Sequence, residues 1–381
     1  MKTCAALACL ALVCALGPAL EGKVVSYQSD GGAPSFREWP VAPAVAPYAE
    51  RDSVGNVQIS VAGGNVHLTW DAMPTAESYK VYSSDNPLAG FSEDLTGTFT
   101  RQGWYAPVTW PRRFYYITAV ITPPLPPNMI LVNGGTFHNG YSNITLTTFC
   151  IDKYEVTQSS YQTVMGTNPA VGTGLGVGPN YPVYVVSWFN AFEYCNRRSL
   201  TEGYTPCYSY STYGTDPDNW PAGWDGNYLN TYNMACDFSA NGYRLPTEME
   251  WVYAAKGGHL TPPTGYNAYA GCMNPAQLAN YAWYAVNNTP FGPKLVGQLL
   301  PNELGIHDMS GNVQELVWDM YWALPGVDLT DPTGGTASDY RIYKGGSFQS
   351  IATNCAIAQR SWFYANGTNI EVGFRVCKRL P

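Results

Sequence analysis

GYRLPTEMEWVYAAKGG, residues 242–258, carries the clearest structural signal in the chain. Thr247 and Glu250 have the spacing of a capping box, in which a hydroxyl and a carboxylate each satisfy a free N–H at a helix start. Gly257-Gly258 supplies the stop. Glu248 and Glu250 could be taken for a general acid and base, but capping and the helix dipole account for them more simply. Two further short helices precede this one. Thr157 caps TQSSYQTVM, which Gly166 ends. Ser187 caps SWFNAFEYCNRRS, whose Trp188, Ala191, Phe192 and Cys195 share one face. Around them the chain is loop-like, with 38 Gly and 29 Pro in 381 residues, 14% aromatic and only 13% charged. That composition excludes coiled coils and helical bundles, while 45% apolar residues suffice for a core. The expected class is α+β with few helices.

Upstream, PPLPP within residues 123–128 cannot enter a sheet interior and reads as a stiff boundary. Before it the period changes to two. VQISVAGGNVHLTW alternates Val57, Ile59, Val61 and Val66, Leu68, Trp70 about Gly63-Gly64, a hairpin signal. SYKVYSS and RRFYYITAVI are further strands, so residues 55–122 are expected to form a β-sandwich. Residues 21–54, containing PVAPAVAPYAE, have a linker composition. Residues 1–20 read as a secretory signal. Lys2 is the only charge before Glu21, Thr3–Leu16 is shorter than the ~20 residues of a membrane span, and cleavage is expected near Ala19.

The mature protein is therefore expected to be secreted, periplasmic or at the cell surface, with no membrane span. The 20 basic and 28 acidic residues give a net charge of −8, which disfavours nucleic acid as a partner. Beyond the leader stand Cys150, Cys195, Cys207, Cys236, Cys272, Cys355 and Cys377. Export favours disulfides among them, and their odd number leaves a thiol over. No pattern of Cys and His supports zinc.

Taken in order, MILVNGGTFHNG, FCIDKYEVTQSSYQ, YPVYVVSWFNAFEYCN, GYRLPTEMEWVYAAKGG, PNELGIHDMSGNVQE, KGGSFQS and GFRVC resemble the formylglycine-generating enzyme (sulfatase-modifying factor) family over residues 129–381. WDAMPTAESYKVYSS with RRFYYITAVI resembles a fibronectin type III domain over residues 55–122. The first resemblance implies an irregular C-type-lectin-like fold whose N- and C-terminal strands lie side by side, with Cys150 and Cys377 on neighbouring strands forming a disulfide. It also implies a structural Ca²⁺ held by the Asp308 and Glu315 side chains and the Gly311 and Val313 carbonyls, hard oxygen ligands that suit the ion.

Active members of that family bind Cu(I) through two cysteines just after the GGS turn and activate O₂ to oxidise a sulfatase cysteine. In KGGSFQSIATNC, Ser350 stands at the first of those positions and Cys355 at the second. A hydroxyl is a poor Cu(I) ligand, so copper is not expected. Gln314 and Leu316 replace aromatic residues of the family pattern, while Ser347 is kept. Were the chain active, Cys355 and Ser347 would be its catalytic residues.

The segment Phe348–Ile370 instead offers Phe348, Trp362, Phe363 and Tyr364 with Asn354 and Asn366, a composition suited to a glycan, peptide or protein ligand. Some receptors of this fold bind ligands in this segment. The sequence thus points to a secreted or surface binding or adhesion protein lacking oxidase activity. The alternatives are a copper- and O₂-dependent formylglycine-generating oxidase and a self-assembling component of an extracellular structure.

Overall fold

The computed structural model describes residues 125–260, 267–324, 326–335 and 338–380. Before them it describes 9–14, 23–28, 35–40, 58–70, 76–84, 92–100, 103–107 and 112–121. Most of the expected leader (1–20) and linker (21–54) lies outside the described residues. The strands Cys9–Cys14, Lys23–Gln28 and Ser35–Pro40 fall within those stretches, the first parallel to Arg112–Ile121. The chain divides into two units between Pro124 and Leu125, inside the proline run. No helix among the described residues is long and apolar enough to cross a membrane.

In the first unit, the strands Gln58–Ala62 and Asn65–Thr69 turn about Gly63 and Gly64 at φ 57° and 79°. Two successive left-handed residues match the twist of a tight hairpin, which is why glycines stand there. Ile59, Val66, Leu68, Trp104 and Ala106 of one sheet share a buried cluster with Val81, Tyr115 and Ile117 of a second. Two sheets around one core make a sandwich.

The second unit keeps the helices that local capping dictates. Gln158–Met165 begins with the Thr157 hydroxyl accepting from the Ser160 N–H and ends at Gly166, φ 75°. Trp188–Thr201 starts with a capping box between Ser187 and Asn190. Glu248–Ala255 starts with the expected box between Thr247 and Glu250. Glu250 has a second duty, because both its oxygens accept from the Arg244 guanidinium at 2.6 and 2.7 Å. Against the burial that would raise it, Arg244 holds the Glu250 carboxyl below its ordinary range.

With few helices, aromatic rings fill the space between loops. Phe192 stacks on Tyr208 at 3.8 Å between centroids, and the buried Arg341 guanidinium lies 3.4 Å from the Trp188 ring centroid.

Two sheets of this unit carry the candidate site residues. In one, Phe149–Asp152 lies between Met129–Val132 and Cys377–Lys378, with Tyr243–Arg244 at the edge. The strands near the start and end of this unit are thus neighbours, as the resemblance implies. The expected Cys150–Cys377 disulfide is corrected by the register, which sets Cys150 opposite Lys378 and Ile151 opposite Cys377. Opposed residues share a face and successive residues alternate, so a one-residue offset sends the two thiols to opposite sides. Cys150 joins the cluster around Trp188, and Cys377 the cluster around Trp251. Cys150, Cys195, Cys207, Cys236, Cys272, Cys355 and Cys377 are free. Alkylation of denatured, unreduced protein is therefore expected to label both Cys150 and Cys377, and a linked peptide containing both would refute the register.

The other sheet runs in the order Ser361–Tyr364, Tyr340–Lys344, Gln314–Met320, Val372–Gly373.

Candidate functional site

The DMSGNVQE turn is sharp because Asp308, Gly311 and Asn312 adopt φ 60°, 83° and 56°. A Cβ on Gly311 would sit 2.3 Å from the Trp283 carbonyl oxygen, so only glycine fits. The turn closes over a buried charge cluster. Glu315 Oε2 accepts from Trp251 Nε1 at 2.7 Å and Arg375 Nε at 2.6 Å, while Oε1 accepts from Arg375 Nη2 at 2.6 Å. Glu155 accepts from Asn312 Nδ2 at 2.6 Å and the Val313 N–H at 3.1 Å.

Asp308 Oδ2 accepts from the Gly297 N–H at 2.7 Å, but its Oδ1 is buried with no partner. Burial pushes the Asp308 carboxyl up to about 6. Burial, and then repulsion from Asp308 and Glu315, pushes Glu155 well above its ordinary value. Three carboxylates face one guanidinium. Among the described residues, no three His, Cys, Asp or Glu side chains are placed to hold a metal ion by themselves. The Ca²⁺ set expected here takes two of its four ligands from backbone carbonyls.

The segment after Gly345-Gly346 is equally enclosed. Ser350 Oγ accepts from the Ser347 N–H at 2.9 Å, and the Ser347 hydroxyl donates to Glu371 Oε2. Cys355 is fully buried in an apolar cluster with Tyr269, Cys272, Leu278 and Tyr284. That burial pushes its thiol up to about 12, the reverse of an activated nucleophile. Gln314 and Leu316 open the strand beside this segment, and Leu316 is core.

The aromatic residues expected at the surface divide. Phe348 is fully buried, edge-on to Phe291 at 5.4 Å. It leaves the candidate ligand set because the two left-handed glycines before it, φ 88° and 70°, turn the chain inward. Asn354 is exposed on the Ala352–Cys355 3-10 turn. Trp362, Phe363 and Tyr364 are exposed by 48%, 43% and 38% on consecutive positions of one strand, far more than core aromatics.

Strand alternation puts Trp362 and Tyr364 on one face, where rings from three other segments join them. Tyr340 lies 4.4 Å from Trp362 and 4.8 Å from Tyr364, Tyr321 lies 5.9 Å from Trp362, and Tyr228 lies 4.7 Å from Tyr364. Asn366 closes that end, its Nδ2 donating to the Gly226 carbonyl at 3.2 Å. Phe363 points the other way, and a Cβ on Gly367 would lie 2.0 Å from its ring.

Sequence reasoning missed Glu155, Arg375 and the three tyrosines. Arg375 sits in the quoted GFRVC and Glu155 in FCIDKYEV, yet only the fold brings them beside Glu315. Of the three, only Tyr340 lies in a strand, YRIYK, as its one half-buried residue before four buried ones.

Comparison with known proteins fits this geometry. Residues 120–380 match the model of the sulfatase-modifying factor enzyme 1-like domain. A chaperone protein, LppX, of Paenibacillus barcinonensis is 37% identical over 269 residues, 66% of this chain and 89% of that protein. The formylglycine-generating enzyme of Mus musculus is 31% identical over 147 residues, covering 35% of this chain and only 38% of the enzyme. Among solved structures, Treponema denticola variable protein 1 superposes with a TM-score of 0.58 at 30% identity, covering 66% of this chain and 94% of that one. CarF gives 0.53 at 25% identity, covering 67% and 99%.

Proposed function

The chain belongs to the sulfatase-modifying factor enzyme 1-like domain family, and from that premise we propose that it is an exported binding or adhesion protein without the oxidase activity of its enzymatic relatives. Ser350 carries the reading. It stands where a second thiolate would have to bind copper, its hydroxyl is committed to the Ser347 N–H, and Cys355 is a buried neutral thiol. Similarity along 89% of a protein named as a chaperone, against 38% of a named enzyme, favours binding over catalysis.

The ligand surface in this reading is the exposed ribbon of Trp362, Tyr364, Tyr340 and Tyr321, and the ligand an extracellular glycan, peptide or protein. Residues 1–20 act as the export signal, so that cleavage takes the Cys9–Cys14 strand from beside Arg112–Ile121, and residues 55–122 act as a fibronectin type III-like spacer. Titration with Cu(I) should give no tight two-thiolate complex, and a sulfatase peptide incubated with protein, copper and O₂ should keep its thiol by mass spectrometry. Aldehyde formation would overturn the proposal. Glycan and peptide arrays probed with the protein should show ligands that Trp362→Ala loses.

We also assign the acidic turn a structural Ca²⁺, held by Asp308, Glu315 and the carbonyls of Gly311 and Val313. Two observations support it. Asp308 Oδ1 is a buried acceptor without a donor, and the cluster carries more negative than positive charge. A carboxylate has about four lone-pair positions, of which Glu315 uses three, so one remains on Oε1 for a cation. Ca²⁺ at a hundred times its dissociation constant should stabilise the fold by about 2.7 kcal/mol. Thermal unfolding with and without a chelator measures this, and Asp308→Asn should abolish the difference. An unchanged midpoint refutes the site.

A further inference from the structure

Ser361–Tyr364 is the edge of its sheet, and no backbone or side-chain hydrogen bond among the described residues meets the outer side of Ser361, Trp362 or Phe363. Natural edge strands are guarded by being very short, or by charge, proline, a bulge or a covering segment. SWFY is short, at four residues, but it has no charge and no proline, and its register against Tyr340–Lys344 runs without a bulge.

At the N-terminal end of the strand, Arg360 lines a cavity of about 330 Å³ whose walls include Met249, Trp322, Leu324 and Leu329. Arg360 is fixed there by bonds of 2.7 and 2.9 Å to Glu248, and its guanidinium lies 5.0 Å from the Tyr321 ring centroid. The cavity and the aromatic ribbon therefore meet at one residue.

We infer that this edge is a docking site for an extended, apolar polypeptide segment, which adds to the sheet as a further strand beside Ser361–Tyr364 and places one apolar side chain in the cavity next to Arg360. The inference deepens the binding reading above and rests on it only in taking the ribbon to face a ligand.

Two features select a polypeptide over a sugar. The open edge presents N–H and C=O groups at the two-residue repeat of another strand, which is the chemistry of strand addition. The ribbon's neighbouring rings are inclined to one another by 43° to 54°, so they form notches between rings rather than a flat platform for a pyranose face. Notches suit side chains that alternate from an extended backbone. The cavity is large enough for a leucine or phenylalanine side chain. Glu248 already neutralises Arg360, so nothing at this end demands a charged residue.

The test uses the full chain and two fluorescent peptides. Both alternate valine and phenylalanine between terminal lysines, and one is N-methylated at every internal amide. Anisotropy is expected to show saturable binding of the unmethylated peptide, at least tenfold weaker binding of the methylated one, and at least fivefold weaker binding to Trp362→Ala. Trp362 is half exposed, and circular dichroism verifies that the variant is folded. Equal binding of the two peptides overturns strand addition.

Failure of both peptides also overturns it. If oligomers of N-acetylglucosamine then bind in a Trp362-dependent way, the binding reading stands without this one, and if they too fail, both fall. A dimer in ultracentrifugation that Trp362→Ala dissolves and the peptide does not displace would give the edge to a second copy of the chain, against the inference.

Discussion

Replacing Arg375 by methionine should destabilise the protein by about 3–5 kcal/mol, the range found when one partner of a buried ion pair is removed. Arg375 is fully buried and spends its donors on three parts of the fold. Nε and Nη2 reach Glu315, Nη1 reaches the Asp152 carbonyl at 2.9 Å, and Nη2 also reaches the His307 carbonyl at 2.8 Å. Without it, Glu155, Asp308 and Glu315 have no buried cation, and two carbonyls lose a donor. Urea denaturation should show the midpoint falling with little change in slope.

The double variant Glu315→Gln/Arg375→Met should be less damaged than the sum of the two single variants, because each single change leaves the other group stranded. Added Ca²⁺ should recover more stability in Arg375→Met than in the parent chain, since the ion then faces an uncompensated cluster. A loss below about 1 kcal/mol would mean that Glu315 is not held as an ion pair at all.

How much of the fold and site was legible depended on how far apart in the chain the interacting residues lie. The three helices were readable because their caps are local. Thr247 and Glu250 are three residues apart, and the same box that sets the helix start recruits Arg244 from the preceding strand. The PPLPP boundary was readable because proline fixes its own backbone. Trp362, Phe363 and Tyr364 were legible only as an aromatic cluster; that Trp362 and Tyr364 share a face, and that Tyr321, Tyr340 and Tyr228 join them, depends on strand pairing.

Register was the weak link. The family resemblance put Cys150 and Cys377 on adjacent strands correctly, and a single-residue offset still denied the bond. Phe348 looked like its neighbours in the segment, but Gly345 and Gly346 are both left-handed and take it inside. The acidic turn was visible as DMSGNVQE, whereas the guanidinium that occupies Glu315 lies sixty residues on.

The same distance effect hid Asp319, for which a large pH-dependent result is expected. Asp319 lies within the Gln314–Met320 strand, and its Oδ2 accepts from the Glu248 N–H at 2.7 Å. Burial first, then repulsion from Glu248 and Glu250, pushes its carboxyl up to about 8. Its value in the unfolded chain is about 3.9. Between those two pH values the folded protein keeps the proton and the unfolded chain does not.

Stability from this group is therefore whole below about pH 4 and is lost as pH rises to about 8, at up to about 1.4 kcal/mol per pH unit. Asp319→Asn cannot ionise in either state, and its amide oxygen can still accept from Glu248. The variant should match the parent near pH 4 and become more stable than it by at least about 2 kcal/mol at pH 8. Lys344 limits the gain. Burial lowers its ammonium to about 8, and it loses a favourable neighbour when Asp319 can no longer ionise.

Asp152, raised by burial to about 6, bends the curves of both proteins alike below that pH. The difference between pH 6 and 8 is therefore the signature of Asp319. Denaturant unfolding of both proteins at pH 5, 6, 7 and 8 measures it. Parallel curves would show that Asp319 is ionised in the folded state throughout, and that Arg360 and Lys344 neutralise it as well as they do Glu248.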